Sequence, residues 1–172
     1  MDPLELEERI EELHPASFGW ALACCGRNRD EAEEVLQMAY LKVMEGKARF
    51  RGESSFKTWL FSVIRRTAQE RFRWRHALDR FLTVVARQPA ALSGRADDAI
   101  VRSETSRRLL DGLSQLARRQ REVLELVFYH DMTIEEAAQT LGISLGSARV
   151  HYERGKKRIL ERMKKEELIA FA

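Results

Sequence analysis

The apolar positions of this chain recur almost everywhere at steps of three and four, the period of helices that bury one face. Val35, Leu36, Ala39, Tyr40 and Val43 form one stripe and predict a helix over Asp30–Met44. Phe56, Trp59, Leu60, Val63, Ile64 and Ala68 form another, predicting a helix that Ser55 caps and that runs to about Arg75. Leu109–Leu116 and Arg121–Tyr129 supply two more stripes. No segment alternates with the period of a strand, and no internal repeat is present. The predicted fold class is all-α.

The region from Thr133 to Arg158 carries the most local detail. Thr133 followed by Glu136 predicts a capping box. Ile134, Ala137, Ala138 and Leu141 then share one face, and Gly142 suits the left-handed conformation that ends a helix. Ile143 anchors the turn, and Ser144 caps a second helix. On that helix Ala148, Tyr152, Gly155, Ile159 and Met163 share a side, while Arg149, Val150, Glu153, Arg154, Lys156 and Lys157 point elsewhere. A short helix, a tight turn and a basic helix make a helix-turn-helix, whose second helix enters the DNA major groove. Arg149 and Arg154 are candidate base or phosphate contacts.

Charge refines the picture. The 172 residues carry a net charge of only +3, with 44% apolar and 33% charged residues. Residues 1–48 hold 5 basic against 11 acidic side chains, a balance of −6. Residues 49–80 hold 9 against 3 and residues 144–165 hold 8 against 2, each a balance of +6. An acidic front and two separate basic blocks suggest two contacts on one polyanion. From the helix after Ser55, Lys57, Phe61, Arg65, Arg66, Gln69 and Arg73 are expected to project, with Arg71, Trp74 and Arg75 near its end. Arginines neutralise phosphates and aromatic faces stack on unpaired bases, as single-stranded DNA binding requires. Trp59 also fits a core position, and Trp74 a core or capping position.

Between the patterned halves, residues from about His76 to Ser106 loosen. Pro89, Ser93, Gly94, Asp97 and Asp98 read as a flexible tether, with Leu78–Val85 a short helix or docking segment. The expected domains are residues 1–76 and 107–172, joined by a linker over 77–106. No apolar run is long enough to span a membrane, and Met1–Ile10 lacks the features of a signal peptide, so an intracellular, cytoplasmic protein is expected. Cys24 and Cys25 are adjacent, which disfavours a bridge, and His14 is the only nearby candidate for joining them in a metal or redox site. No phosphate-binding glycine loop, metal-ligand spacing or nucleophile motif appears, so neither enzymatic activity nor a cofactor is expected.

Three stretches carry a family resemblance. Asp30–Gln37, then Phe50–Leu60 with the basic helix after it, resemble the second conserved region of bacterial RNA polymerase sigma factors. Leu113–Leu160 resembles their fourth region. The short spacing resembles the small extracytoplasmic-function (ECF) type. The resemblance implies two helical domains, binding to core RNA polymerase, and recognition of promoter DNA. The first domain would recognise and melt the -10 element, and the second would read the -35 element. It places Asp30, Glu31, Glu33, Glu34 and Gln37 on the face that docks on the polymerase clamp helices. Phe50, Arg51, Glu53 and Ser54 resemble the loop that captures a flipped -10 base, with Trp59, Arg65, Arg66, Gln69 and Arg73 along the displaced strand. Ser144, Ser147, Arg149, Val150, Glu153, Arg154 and Lys157 fall on the -35 reading helix. The family also implies an anti-sigma partner. The chain departs from the family at Arg66, often Asn, at Val150, often a small polar residue, and at the acidic Glu153. These departures bear on promoter identity: Val150 offers a thymine methyl an apolar contact, and Glu153 can accept from cytosine. An autonomous helix-turn-helix repressor is the alternative, and it leaves Asp30–Gln37 and Phe50–Leu60 unexplained.

Overall fold

The computed structural model describes the backbone of residues 2–86 and 112–170, and the side chains of residues 2–76 and 112–164. The chain divides between Asp97 and Asp98 into two compact units. In the first, α1 spans Pro3–Cys24, α2 Arg29–Met44 and α3 Phe56–Ala86. In the second, α4 spans Arg118–Phe128, α5 Ile134–Leu141 and α6 Leu145–Ala170. The described secondary structure is entirely helical.

In the first unit the three helices all pack on one another. Trp20 and Ala21 of α1, Val35, Leu36, Ala39 and Val43 of α2, and Leu60, Phe61 and Ile64 of α3 are all buried and make up its core. Trp20 is fully enclosed. Its indole Nε1 donates to the Phe61 carbonyl at 3.0 Å, and its ring stacks on the Phe61 ring at 5.9 Å with planes 7° apart. That bond satisfies the one polar atom of a large apolar side chain, the condition for burying a tryptophan. The α1–α2 turn takes Gly26 and Arg27 through positive φ, 62° and 68°. Asn28 then caps α2 by accepting from the Glu31 N–H at 3.0 Å.

Two expectations need correction here. Phe61 and Arg65 do not project from α3: Phe61 is fully buried and Arg65 is 7% exposed. They lie close to the Leu60–Ile64 stripe, and Trp20 of α1 stacks on Phe61, so the buried face of α3 is wider than that stripe. Nor does α3 stop near Arg75; its backbone continues helically to Ala86. Good helix formers follow Arg75, and no glycine or proline intervenes before Pro89. Leu78–Val85 is therefore the last part of α3 rather than a separate helix, and its side chains lie outside the described residues. Of the linker expected over 77–106, the first ten residues are thus the end of α3, and residues 87–106, like residues 109–111 of the predicted Leu109–Leu116 stripe, lie outside the described residues; residues 112–114 are helical.

In the second unit the predicted punctuation is observed. Thr133 Oγ1 accepts from the Glu136 N–H at 3.1 Å, and the Glu136 carboxylate accepts from the Thr133 N–H at 2.9 Å. Gly142 ends α5 at φ 62°, and Ser144 Oγ accepts from the Ser147 N–H at 3.2 Å to open α6. Ala137, Ala138 and Leu141 of α5, with Val123, Leu124 and Leu126 of α4, form the core on which Ala148 of α6 closes. Gly155 is where α6 crosses α4: a Cβ there would lie 2.9 Å from Leu124 Cδ1 and 3.2 Å from Gln120 Cβ. Met163, expected on this packed side, is instead 45% exposed.

Candidate nucleic-acid interface

The recognition helix α6 separates its side chains along its length as well as by face. Arg149, Val150, Glu153 and Arg154 are exposed and make no ion pair among the described residues. Beyond them the next exposed cations have partners within the unit. Lys156 lies over the Tyr152 ring at 5.7 Å, Lys157 pairs with Glu161 at 3.9 Å, and Arg158 donates to Gln120 on α4 at 3.2 Å. Ser144 and Ser147 are engaged in the cap, their hydroxyls 2.9 Å apart. The uncommitted residues thus fall in the N-terminal part of α6, the part that meets base edges in this motif. Val150 is 45% exposed, an apolar contact surface on an otherwise charged face.

In the first unit the loop before α3 stands on an aromatic base. Phe50, Phe56 and Trp59 pack mutually with ring centroids 5.3–5.5 Å apart. Phe56 is buried, and Phe50 and Trp59 are half-buried. Trp59 is thus neither a sealed core residue nor a free surface one. Above this cluster Arg51, Gly52 and Glu53 are exposed, and Ser54 donates to the Ser55 carbonyl at 3.1 Å. Gly52 takes φ 74°, which a side-chain-bearing residue adopts only with strain. Ser55 accepts from the Thr58 N–H at 3.1 Å, so the loop leads directly into the first turn of α3.

Along α3, Arg66 and Arg73 are exposed and Gln69 is half-buried, whereas Arg65 is withdrawn. Two aromatics join them: Trp74, expected near the end of this surface, and Phe72, which the sequence pattern did not single out. Phe72 is 61% and Trp74 78% exposed, which removes the core or capping reading of Trp74.

The acidic helix α2 is more tied to the fold than its sequence suggests. Arg71 of α3 bonds Glu31 at 2.9 Å and also pairs with Glu34, and Arg75 pairs with the other Glu31 oxygen. Lys42 bridges back to Glu70 at 2.5 Å and to Thr67 at 3.2 Å. Glu33 pairs with Arg29 one turn earlier at 2.9 Å. Arg71 and Arg75, expected on the basic surface, therefore clamp α3 to α2. Asp30, Glu33, Glu34 and Gln37 remain exposed; Glu31 is half-buried under its two arginines. The same outer face continues into Met38, Leu41 and Met44, which are 38%, 55% and 67% exposed. Sequence reading passed over these three, although they lie opposite the buried Val35–Ala39–Val43 stripe.

Cys24 and Cys25, half-buried at the end of α1, form no disulfide. Burial pushes the Cys25 thiol up to about 11, against a smaller opposing pull from Arg71. His14 bonds Tyr40 at 3.3 Å, and no cluster of metal-ligating side chains occurs among the described residues. No described helix is long and apolar enough to cross a membrane.

Comparison with known proteins identifies both units. Residues 9–78 match the family model of Sigma-70 region 2, and residues 106–159 match that of Sigma-70, region 4. The ECF RNA polymerase sigma factor SigX of Bacillus subtilis is 30% identical over 152 residues, covering 83% of this chain and 77% of SigX. RNA polymerase sigma factor CarQ of Myxococcus xanthus is 29% identical over 158 residues, 90% of this chain and 89% of CarQ. Among solved structures, the sigma factor RpoE of Bartonella quintana, in complex with the anti-sigma factor NepR, aligns at a TM-score of 0.71. That alignment has 21% identity and covers 93% of this chain and 97% of RpoE. CnrH, in complex with the cytosolic domain of CnrY, aligns at 0.63 with 18% identity over 92% of this chain and 87% of CnrH. The chain belongs to the ECF-type RNA polymerase sigma factors: a non-enzymatic subunit that binds core RNA polymerase and directs it to promoter DNA through regions 2 and 4.

Proposed function

We propose that residues 1–76 dock on the polymerase and open the -10 element, that residues 107–172 read the -35 element, and that 77–106 connects them. The observation that carries the -10 assignment is the exposed Arg51–Gly52–Glu53 loop standing on the Phe50–Phe56–Trp59 cluster. Extruding a base costs a few kcal/mol, so the flipped base needs a stacking wall and polar groups at its edge. Phe50 and Trp59 offer aromatic edge and face; Arg51, Glu53 and Ser54 offer donors and acceptors. Arg66, Gln69 and Arg73, with the exposed Phe72 and Trp74, continue along α3 as a basic and aromatic track for the displaced strand. Arg65, being withdrawn, supports this track from beneath.

Docking is assigned to the outer face of α2. Asp30, Glu33, Glu34 and Gln37 steer by charge, and Met38, Leu41 and Met44 supply the apolar area on which a partner helix packs. RpoE was solved with an anti-sigma factor and CnrH with the cytosolic domain of CnrY, and the exposed apolar residues on α2 support regulation by an anti-sigma partner here. Action in the cytoplasm follows from the polymerase partnership.

A fluorescent adenine analogue placed at the -10 position of a promoter tests the melting assignment. Holoenzyme formed with the full chain should brighten the probe as the base unstacks. The R51A/E53A double variant should retain core binding and lose most of that signal. Full brightening by the double variant would remove the loop from the mechanism.

A further inference from the structure

The side of α6 that faces away from the protein can be fixed from its packed side. Ala148 and Gly155 are its two buried positions among the described residues. At about 100° per residue, the direction opposite their bisector runs between Gly146 and Lys157. Val150 and Glu153 lie about 30° to either side of it, and Arg149 and Arg154 about 70° out on the two flanks. The residues aimed most directly outward in the first turns of α6 are therefore a glycine, a valine and a glutamate. The arginines border them.

Gly146 has no internal explanation. A Cβ added there meets no atom within 4 Å, and its φ is not positive, so neither packing nor backbone geometry of the fold requires glycine. Glycine weakens a helix relative to alanine, so its presence on the outward line suits close approach of another surface. Glu153, two turns further along the same face, has no ion-pair partner among the described residues, although Arg149 and Lys157 stand four residues to either side. A carboxylate repels phosphates, so its place at the centre of a basic reading face is costly unless it accepts from a base. In the major groove only the cytosine N4 and adenine N6 amino groups donate, and adenine sets its N7 acceptor beside N6. Cytosine is the better match for a lone carboxylate. Val150 and Glu153 are separated by about 4.5 Å along the helix, close to the rise of about 3.4 Å between base pairs, which puts them on neighbouring pairs.

We propose that the upstream promoter element is specified by Val150, against a thymine methyl, and by Glu153, on the N4 amino group of cytosine in an adjacent pair, while Arg149 and Arg154 hold phosphates on the two walls of the groove. The proposal rests on the reading of residues 107–172 as the -35 domain. It assigns sequence choice to two residues at which the chain departs from common family usage, and binding strength to the two that look most like readers.

The test uses holoenzyme assembled from core polymerase and the full chain, transcribing a promoter library randomised across the upstream element. Wild type should enrich templates with C at one position and T beside it, by on the order of 5- to 150-fold over the alternatives. E153Q preserves shape and removes the charge; because glutamine pairs with adenine, its preference should move from C to A at that position alone. R149A and R154A should lower output across the library and flatten its salt dependence without changing the preferred bases. A wild-type consensus that E153Q leaves unchanged at every position overturns the proposal while leaving the -35 reading intact, as does a base preference that shifts in R149A or R154A. A wild-type library with no upstream preference overturns both. Thermal melts of each variant confirm that these exposed replacements leave the fold intact.

Discussion

Two glycines of α6 should respond in opposite directions to the same substitution. At Gly146 a new Cβ meets nothing within 4 Å. G146A should therefore raise the stability of the C-terminal unit by about 0.4–1 kcal/mol, through the lower entropy of the unfolded chain and better helix propensity. At Gly155 the same methyl lies 2.9 Å from Leu124 Cδ1, 3.2 Å from Gln120 Cβ and 3.3 Å from Leu124 Cγ. Leu124 is 1% exposed and Gln120 6%, so neither can swing into solvent. Overpacking of this kind costs about 1–3 kcal/mol, which outweighs the propensity gain of about 1 kcal/mol. G155A should come out about 0–2 kcal/mol less stable than wild type. The propensity terms largely cancel between the variants, so their difference of about 1–3 kcal/mol isolates the packing of α6 on α4. All three tryptophans, Trp20, Trp59 and Trp74, lie in the first unit, so tryptophan fluorescence should melt identically in both variants. Far-UV circular dichroism and amide exchange of Val123–Leu126 report the second unit, where 1 kcal/mol moves the midpoint by about 4–8 °C. If G155A melts at or above G146A by these probes, the close crossing of α4 and α6 is wrong.

Three further outcomes are expected. T133A removes the hydroxyl half of the capping box and should destabilise the second unit by about 0.5–2 kcal/mol, read by the same dichroism melt; an unchanged midpoint would show the cap to be idle. R71Q breaks the pairs with Glu31 and Glu34 and should loosen α3 from α2 by roughly 1 kcal/mol at low salt, with the loss shrinking as salt rises; a salt-independent loss would point to packing instead. Cys25, held near 11 rather than its ordinary 9.0, should carry about a hundredfold less thiolate at neutral pH. In a C24S background its alkylation should be correspondingly slow in the folded protein and fast in denaturant. By the same linkage its contribution to stability is intact below pH 9 and lost as pH rises toward 11, which melts across that range can follow.

What the sequence disclosed and what it withheld divide along physical lines. Caps and left-handed glycines act over four residues, so the capping box at Thr133, the terminator at Gly142 and the cap at Ser144 were all legible. The amphipathic stripe of α2 was legible because one face is wholly buried. The long α1 was not resolved as an element: Pro15 interrupts its pattern, and its buried residues, Ile10, Ser17, Trp20 and Ala21, include a serine. The burial of Phe61 was hidden because it depends on Trp20 of α1, far away in sequence, stacking on its ring. The clamp of Arg71 and Arg75 on Glu31 joins residues 40 or more apart, beyond any local rule. The exposure of Met38, Leu41 and Phe72 was not legible, because an apolar side chain on a helix is left uncovered only where no neighbouring element packs on it, and local sequence does not specify that.

Run-off transcription tests the central claim most directly. Core RNA polymerase and the purified full chain would be incubated with fragmented genomic DNA of the source organism, and transcript starts sequenced. The account predicts a stable complex with core enzyme and discrete starts that share two spaced upstream elements, none of them made by either component alone. A chain that fails to co-purify with core polymerase, or that binds duplex DNA tightly by itself and yields no starts, would contradict it.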